Sequence, residues 1–364
     1  MEKKKILMLN YEFPPLGGGG SYVSYEIAKN LVDRGHRVDV VTMGFGDLPK
    51  FEVVDGINVH RVKCLRKKKE VSQPLEQLTF ILSARFFLKK RLKRISYDIN
   101  HTHFIIPTGA VALWLKKKYK IEYVVTSHGS DVLGYNYRFR TIYPFIAKIW
   151  KKIVKEAKAV TSPSQFLLDR IEEIVPYSNL TVIPNGIESG KFKPMKKENY
   201  ILVVTRLFKN KGVQQVIDGL AGVDLKGWKV YIVGEGPYRD ILERKCVENG
   251  LQNDVIFLGW VDNKSDRLRK LYGKAKIFVS ASWFESFGLT VLEALQAECY
   301  VLVSDNPGYK ELNLGEQHYF KNKNHKDFRE KLEKTLRKKK IEGKPFDRKY
   351  EWDNIIKKYE KVLA

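Results

Sequence analysis

Residues 4–44 read KKILMLNYEFPPLGGGGSYVSYEIAKNLVDRGHRVDVVTMG, and this stretch decides the fold. A short apolar run follows the basic start and predicts a strand, which a Pro/Gly loop interrupts. The segment after the loop has the apolar spacing of a helix, and RVDVVTMG then predicts a second strand. Strand, glycine loop, helix and strand together form a βαβ unit, which is typical of a parallel sheet.

The same alternation continues along the rest of the chain. YDINHTHF, TGAVALWLKKKYK and YVVTSHGSD extend the first series, followed by an amphipathic stretch up to Ala157 and by strand-like AVTSP and LTVIP. A loop, PNGIESGKFKP at residues 184–194, separates this series from a second one that runs from YILVVTRL to YVLVSD.

We therefore predict an α/β protein with two doubly wound domains, as the length of 364 residues also favours. The first is predicted to span residues 1–184 and the second residues 185–346. Residues 347–364 end in the amphipathic segment YEWDNIIKKYEKVLA, a helix expected to return to the first domain.

The charge balance favours anionic partners. The chain has 66 Lys and Arg against 42 Asp and Glu, a formal net charge of +24. Phosphates, lipid headgroups and nucleic acid all fit this excess, but no RNP, helix-turn-helix or zinc motif is visible, so nucleic acid is not favoured. Three distant cysteines without a CxxC pair predict neither disulfides nor a zinc site, and a cytoplasmic location fits. No segment is apolar enough to predict a membrane span.

Two loops that follow predicted strands carry candidate phosphate ligands. PPLGGGGS contains Gly18 and Gly19 at the start of a helix, where backbone N–H groups and the helix dipole favour anions. It is not a GxGxxG dinucleotide motif, and a flexible turn is the alternative. TRLFKNKG places Arg206 and Lys211 after the first strand of the second series, where they could clamp a diphosphate. Taken singly, each is better explained as solvated surface, which is the more common role of a cation in so basic a chain.

The stretch WFESFGLTVLEAL, residues 283–295, sets Glu285 and Glu293 on either side of a glycine. A helix that starts near Ser286 or Phe287 would leave the N–H groups of Phe287, Gly288 and Leu289 without intrahelical acceptors. Glu285 would then precede the helix, where a carboxylate could simply complement the dipole. Glu293 would lie about one turn deeper among apolar neighbours, which favours a contact with ligand hydroxyls or a buried partner over solvent.

Three histidines also follow predicted strands, namely His101, His103 and His128. No DxD pair accompanies them, so a metal site is not predicted. A structural role is the more common one for a histidine at the end of a strand.

In this order, the motifs resemble those of the retaining glycosyltransferases of family 4. The matching stretches are PPLGGGGSYVSYEIAKNLVDRGHRVDVVT, HTHFIIPTGA, VVTSHGSDV, VIPNGIESGKF, TRLFKNKG, IVGEGP, FLGWV and, above all, ESFGLTVLEAL with the family's E-x7-E pattern. The resemblance implies the GT-B fold, two Rossmann-like domains facing across a cleft, with the acceptor on the first domain and a nucleotide-sugar on the second.

The resemblance also implies roles for individual residues. Glu285 would bind hydroxyls of the donor sugar, and Glu293 the nucleotide ribose. The diphosphate would be held by Arg206, Lys211 and the amides of Phe287, Gly288 and Leu289. Gly18 and Gly19 would approach it from the first domain, and His128 would face the reacting sugar.

Family chemistry implies transfer with retention of configuration from a UDP- or GDP-sugar, without a metal or another cofactor. The loop NPGYKEL departs from the family pattern before Glu311, which leaves sugar selection open. A GT-B nucleotide-sugar epimerase, a phosphorylase that would need pyridoxal phosphate, and a non-catalytic nucleotide-sugar-binding relative are the alternatives. Glu285, Arg206 and Lys211 are all present, which disfavours the last of these.

LTFILSARFFLKKRLKRI, residues 78–95, suggests a second surface. Ile81, Ala84, Leu88, Leu92 and Ile95 recur at helical spacing and predict a core-facing stripe. On the other side, cations surround Phe86: Arg85, Lys89, Lys90, Lys93 and Arg94. This side is either a solvated helix face or a surface that rests on an anionic membrane at its cytoplasmic side, where a sugar or lipid-linked acceptor would be found.

Overall fold

The computed structural model describes residues 2–134, 143–176, 179–225 and 227–364. The chain forms two compact units, and the first contains two separate segments, Met1–Gly186 and Tyr350–Ala364. The second unit is Ile187–Lys349. None of the helices in the described ranges has the length and apolar character that crossing a bilayer requires.

The first unit is built on an eight-stranded sheet. Its strands are β1 Lys5–Leu9, β2 Arg37–Met43, β3 Phe51–Val54, β4 Ile57–Val62, β5 Ile99–His103, β6 Tyr123–Thr126, β7 Ala159–Ser162 and β8 Leu180–Val182. They lie in the order β3-β4-β2-β1-β5-β6-β7-β8. β3 pairs with β4 in the antiparallel direction, and the other neighbouring strands pair in parallel. β1, β2 and β5 are almost wholly buried, as expected for strands covered by helices on both faces.

Helices cover both faces of this sheet. They are α1 Gly19–Asp33, α2 Pro74–Arg91, α3 Thr108–Tyr119, α4 Tyr143–Glu156, α5 Gln165–Ile174 and α12 Trp352–Leu363. The β1-α1-β2 and β5-α3-β6 connections run in opposite directions along the sheet, so right-handed crossovers place α1 and α3 on opposite faces. α2 and α4 pack against α3, and α12 packs against α1.

The second unit repeats this architecture with six parallel strands. Its strands are β9 Glu198–Val204, β10 Lys229–Val233, β11 Val255–Gly259, β12 Ala275–Ser280, β13 Tyr300–Ser304 and β14 Tyr319–Phe320. Its helices are α6 Val213–Leu220, α7 Arg239–Glu248, α8 Asp266–Lys274, α9 Leu289–Gln296, α10 Pro307–Lys310 and α11 His325–Leu336. The order β11-β10-β9-β12-β13-β14 reverses direction between β9 and β12. Ligands of such sheets bind at this switch point, outside the carboxyl ends of the strands.

The predicted fold class is confirmed, with two α/β units and parallel sheets. The hairpin of β3 and β4 was not predicted, nor were α5, α11 and β14. Part of the amphipathic stretch before Ala157, residues 135–142, lies outside the described residues.

The C-terminal helix α12 belongs to the first unit. Glu360 accepts a hydrogen bond from Arg34 Nε at 2.7 Å and lies 3.2 Å from His36 Nε2. The ring of Tyr359 lies 5.5 Å from that of His101, between centroids. One face of α12 is thus part of the core of the first unit.

Candidate active site

The loop after β9 holds the two predicted cations of the second unit. Lys211 lies in a short turn, and its Nζ is 2.5 Å from Glu285 Oε1. A Cβ added at Gly212 would lie 2.0 Å from the carbonyl oxygen of Ala281, so only glycine permits this approach to the end of β12. Arg206 is exposed, with its guanidinium carbon 5.4 Å from the centre of the Phe208 ring.

The E-x7-E segment follows β12, on the other side of the switch point. The expected start of its helix near Ser286 or Phe287 is wrong, because α9 begins at Leu289. Gly288 precedes it in the left-handed region, with φ of 110°. Val291 and Leu292 donate to the carbonyl of Gly288, so the first-turn donors are the amides of Leu289 and Thr290. Phe287 lies before the helix with a buried side chain.

The short helix α10 packs against the backbone between Glu285 and Gly288, just before the start of α9. A Cβ at Gly308 would lie 2.1 Å from the carbonyl oxygen of Glu285, and one at Gly288 would lie 2.6 Å from the Tyr309 ring. Tyr309 is fixed in turn by a 2.5 Å hydrogen bond between its hydroxyl and Ser280 Oγ. Asn306 donates from its side-chain amide to the carbonyl of Ser282 at 2.8 Å. These contacts hold the backbone of Glu285 and the start of α9.

Glu293 is the fifth of the eight residues of α9 and is only partly exposed. Removal from water raises the pKa of its carboxyl group to about 7, although the Tyr272 hydroxyl and the charge of Lys191 act in the opposite direction. The hydroxyl of Tyr272 is itself buried. Glu293 is therefore a carboxylate whose ionisation depends on its surroundings near neutral pH.

In the first unit, the glycine loop and His128 lie together. Gly18 is the N-cap of α1, and Gly19 and Gly20 form its first turn. A Cβ at Gly20 would lie 3.1 Å from His128 Cγ and 2.9 Å from the Phe104 ring. The missing side chain thus leaves room for the His128 ring at the start of α1.

Asp131 fixes the backbone of the loop that carries His128. Its carboxylate accepts hydrogen bonds from the amides of His128 at 3.1 Å and Ile105 at 2.7 Å. The hydroxyl of Ser127 donates to it at 3.0 Å. Burial lowers the pKa of His128 to about 3, so its ring is neutral at physiological pH.

The structure therefore brings together Gly18, Gly19 and His128 in the first unit, and Lys211 and Glu285 just before the start of α9 in the second. Arg206 instead lies over the Phe208 ring, and Glu293 lies further along α9, near Tyr272 and Lys191. In the described ranges, no group of three His, Cys, Asp or Glu side chains could hold a metal ion.

Sequence reasoning missed several residues that position the site. Asn306, Gly308 and Tyr309 support the E-x7-E turn, and Asp131 supports His128. Asn-Pro-Gly directly after a strand is a helix-cap pattern that could have indicated α10. Its contact with Glu285 joins segments more than twenty residues apart, and local patterns carry no signal for that.

Comparison with known proteins places the chain in a family. The model of "Glycosyltransferase Family 4" matches residues 17–191, and that of "Glycosyl transferases group 1" matches residues 186–352. Together the two cover nearly the whole chain in the expected order. The protein belongs to the family 4 type of GT-B glycosyltransferases.

Individual relatives agree with this assignment. An uncharacterised glycosyltransferase of Methanocaldococcus jannaschii is 29% identical, over 97% of this chain and 96% of its own. The alpha-monoglucosyldiacylglycerol synthase of Streptococcus pneumoniae is 29% identical, over 59% of this chain and 53% of its own. Among solved structures, sucrose-phosphate synthase of Thermosynechococcus elongatus superposes with a TM-score of 0.86 at 18% identity, covering 99% of this chain and 98% of that one. This last likeness shows the GT-B fold.

Proposed function

We propose that the protein is a retaining, metal-independent glycosyltransferase that moves a sugar from a UDP- or GDP-sugar to an acceptor hydroxyl. The observation that carries the proposal is the placement of Lys211 and Glu285 in contact at the switch point, next to the start of α9. Glu293, which lies in α9, would bind the nucleotide ribose.

Transfer of the sugar requires positive charge beside the diphosphate of the donor. Breaking the bond between the anomeric carbon and the phosphate oxygen leaves negative charge on the nucleoside diphosphate. Lys211, Arg206 and the amides of Leu289 and Thr290 would stabilise this charge as fixed groups, the role that a bound metal has in other enzymes. Glu285 would hold the donor sugar through its hydroxyls, and its contact with Lys211 orients both side chains before the donor arrives.

The acceptor hydroxyl would attack on the side from which the diphosphate departs. A leaving phosphate oxygen takes the proton of that hydroxyl, so atoms and charges balance and the configuration is retained. The partly buried His128 would face the reacting sugar as a neutral hydrogen-bonding group.

The first experiment measures transfer with radiolabelled UDP- and GDP-sugars, with and without acceptor and with EDTA. Arg206→Ala and Lys211→Ala should each lower kcat by about 10²–10³, the usual loss when one preorganised donor is removed. Lys209→Ala is the matched control, since this exposed lysine lies in the same turn as Lys211.

Three results would contradict the proposal. Wild-type kcat/KM in both alanine variants would show that the site is misassigned. Activity that vanishes in EDTA and returns with Mn²⁺ would show a metal requirement. An altered nucleotide-sugar or a free sugar formed without acceptor would indicate an epimerase or hydrolase.

The acceptor is proposed to be a lipid or lipid-linked sugar at the cytoplasmic face of a membrane. One relative, by its name, makes a glucosylated diacylglycerol. The stronger support is the outer side of α2. This helix buries Phe80, Ala84 and Leu88 against the core of the first unit.

The opposite side of α2 is also apolar. Four large side chains are exposed at steps of three and four residues: Leu75 at 64%, Leu78 at 51%, Leu82 at 60% and Phe86 at 64%. Side chains at this spacing share one face of a helix. The sequence-based prediction of Phe86 as a single exposed aromatic was therefore incomplete.

The chain segment 63–69 extends this apolar face. It runs beside α2, where the amide of Leu65 donates to Thr79 Oγ1 at 3.1 Å and that of Lys67 donates to Glu76 Oε1 at 3.0 Å. Leu65 is 61% exposed, so it adds to the apolar face. We name Leu65, Leu75, Leu78, Leu82 and Phe86 the α2 apolar face.

Exposed cations lie at both ends of the α2 apolar face. At one end are Lys67, Lys68 and Lys69, and at the other are Lys89, Lys90, Lys93 and Arg94. The Lys90 ammonium lies 4.3 Å from the centre of the Phe86 ring, whereas Arg85 is turned onto Trp114. Apolar side chains flanked by cations fit an anionic bilayer, into which the leucines and Phe86 would insert between headgroups. Basic residues near such a surface contribute about 1 kcal/mol each.

Co-sedimentation with vesicles tests this partner. Wild type should bind anionic phosphatidylglycerol vesicles, bind neutral phosphatidylcholine vesicles weakly, and lose affinity at high salt.

Changing Leu82 and Phe86 to Gln should weaken binding at every salt concentration. Changing Arg85, Lys89, Lys90, Lys93 and Arg94 to Gln should reduce the preference for anionic lipid, with Lys67, Lys68 and Lys69 left in place. Val247→Gln, at an equally exposed apolar position of the second unit, is the control. Binding that ignores lipid charge, or that both sets of changes leave intact, would favour a soluble acceptor.

A further inference from the structure

Three histidine rings meet at the end of β5, and the proposed transfer uses only one of them. His101 and His103 are fully buried on β5, with ring centres 4.3 Å apart. His103 Nδ1 lies 3.1 Å from His128 Nε2, and these two rings are close to parallel, at 17°. Among the residues that the structure describes, the partner of the His128 ring is therefore a second imidazole.

A hydrogen bond between two imidazoles fixes where their protons are. Burial lowers the pKa of His128 to about 3 and that of His103 well below its ordinary value, so both rings are neutral at physiological pH. Each neutral ring carries one N–H and one bare nitrogen. One of the two facing nitrogens must donate and the other must accept.

The far nitrogen of His103 decides between the two arrangements. His103 Nε2 is buried and has no hydrogen-bond partner among the residues that the structure describes. If His128 Nε2 donated, His103 would carry its own proton on this nitrogen, as a buried N–H without an acceptor. If His103 Nδ1 donates, the unpaired atom is a bare lone pair. Orphaned buried N–H groups are the rarer of the two in proteins.

We infer that His103 is a positioning residue that donates from Nδ1 to His128 Nε2 and thereby holds His128 in the tautomer protonated at Nδ1. The inference relies on the proposed function only for the role of His128, since the hydrogen bond itself is a property of the first unit.

This tautomer gives His128 a donor on the side of the glycine loop. His128 Nδ1 would lie 3.4 Å from a Cβ at Gly20, so this nitrogen faces the start of α1. A neutral N–H there can donate to an oxygen of a bound sugar without adding a positive charge beside the glycosyl carbon. The His103 contact and the Asp131 contacts to the loop backbone fix the direction of this donor.

The direct test is nuclear magnetic resonance of ¹⁵N-histidine-labelled protein at neutral pH, since the chain has 7 histidines and single variants can assign their signals. In wild type we expect His128 Nδ1 to be protonated and Nε2 to be bare. In His103→Leu the preference should shift toward Nε2–H, the tautomer favoured by free imidazole side chains. In His103→Asn, whose side-chain amide can still donate from about the Nδ1 position, the wild-type pattern should persist.

The kinetics of His103→Leu and His103→Asn distinguish a positioning role of His103 from a role in packing alone. His103→Leu should lower kcat at least about tenfold, part of the loss expected when one preorganised donor is removed, with an unchanged KM for the nucleotide-sugar. His103→Asn should restore most of the rate. A merely structural role predicts instead that the smaller, polar Asn is no better than Leu.

A wild-type His128 protonated at Nε2 would overturn the inference, whatever the activity. It would also be overturned if the leucine variant folded and kept both the tautomer and kcat. Failure of the protein to transfer sugar at all would reject the proposed function but leave the tautomer measurement valid. Misfolding of a variant leaves the wild-type spectrum as the deciding result.

Discussion

At the scale of single residues, Glu285 and Glu293 show how two carboxylates eight positions apart acquire different properties. Glu285 forms an ion pair with Lys211, with its Oε1 2.5 Å from the lysine Nζ. Glu293 lies among apolar residues of α9, where loss of water raises its pKa to about 7. Glu293 is therefore close to half-protonated at neutral pH.

The raised pKa predicts how Glu293 affects stability. The ordinary pKa of a glutamate is near 4.5, so between pH 4.5 and about 7 the folded state binds this proton more tightly than the unfolded chain. The contribution of Glu293 to stability is therefore fully present at low pH and decreases as pH rises through 7. Glu293→Gln should raise the free energy of unfolding by about 1–3 kcal/mol at pH 8 and change it little at pH 5.

Thermal unfolding at the two pH values measures this difference. Glu285→Gln is the control, because loss of its contact with Lys211 predicts no gain at pH 8. Glu293→Gln should also raise KM for the nucleotide-sugar at pH 8, since a neutral amide binds ribose hydroxyls less strongly than a carboxylate. An equal change in the free energy of unfolding at both pH values would show that burial does not raise the pKa of Glu293.

At the scale of secondary structure, the geometry of the E-x7-E segment depends on a helix of four residues. α10 presents Gly308 to the carbonyl of Glu285 and Tyr309 to Gly288. The left-handed Gly288 then delays the start of α9 to Leu289. A contact from a different element thus sets which amides are available to a phosphate.

Gly308→Ala should displace Glu285. The added Cβ would lie 2.1 Å from the Glu285 carbonyl oxygen, a distance that requires the backbone to move. We expect a loss of stability of about 1–3 kcal/mol and a KM for the nucleotide-sugar that rises at least severalfold.

The matched control for Gly308→Ala is Gly222→Ala. Gly222 has a φ of 78° with open space around its Cβ position, so alanine there adds strain but no displacement of the site. Calorimetry and donor kinetics on both variants separate the two effects. A donor KM that changes equally in the two variants would mean that α10 has no special role.

At the scale of the whole molecule, the chain returns to the first unit after completing the second. α12 buries Ile355, Ile356, Tyr359 and Leu363 in the first unit, although more than 160 residues of the second unit separate it from α5. The stability of the first unit therefore depends on the last residues of the chain.

Ile356→Ala should destabilise the first unit by about 2–5 kcal/mol, the usual cost of emptying a buried isoleucine site. Lys357→Ala, the exposed neighbour on the same helix, should change stability by less than about 0.5 kcal/mol. Hydrogen-exchange mass spectrometry measures the effect by region. Peptides from β1, α1 and α12 should exchange faster in the isoleucine variant, whereas uniform acceleration in the second unit as well would contradict this assignment.

Local patterns predicted most of the strands and helices, and they also nominated the candidate site residues. Period-two and helical spacing mark β1, α1, β2 and most later elements, since each depends on neighbours in the chain. The β3–β4 hairpin was not among the predicted elements, although its residues FEVVDGINVHRV contain Asp-Gly, a turn signal typical of hairpins. The spacing of Glu285 and Glu293 is likewise a local property that the sequence displays directly.

By itself, the sequence determined the alternation of strands and helices, the two series of βαβ units and the residue types available for binding a diphosphate. Only the tertiary structure decided where α9 begins, which histidine holds His128, and that a row of leucines lies on the exposed side of α2. The predicted core-facing stripe of α2 is confirmed, since Ala84 and Leu88 are buried and Ile81, Leu92 and Ile95 pack against the same core. Leu78, Leu82 and Phe86 have the same spacing as Phe80, Ala84 and Leu88, and the prediction from periodicity did not include the exposed leucines. The reason is physical: burial and hydrogen bonding are decided by what packs against a residue, and those partners come from distant parts of the chain.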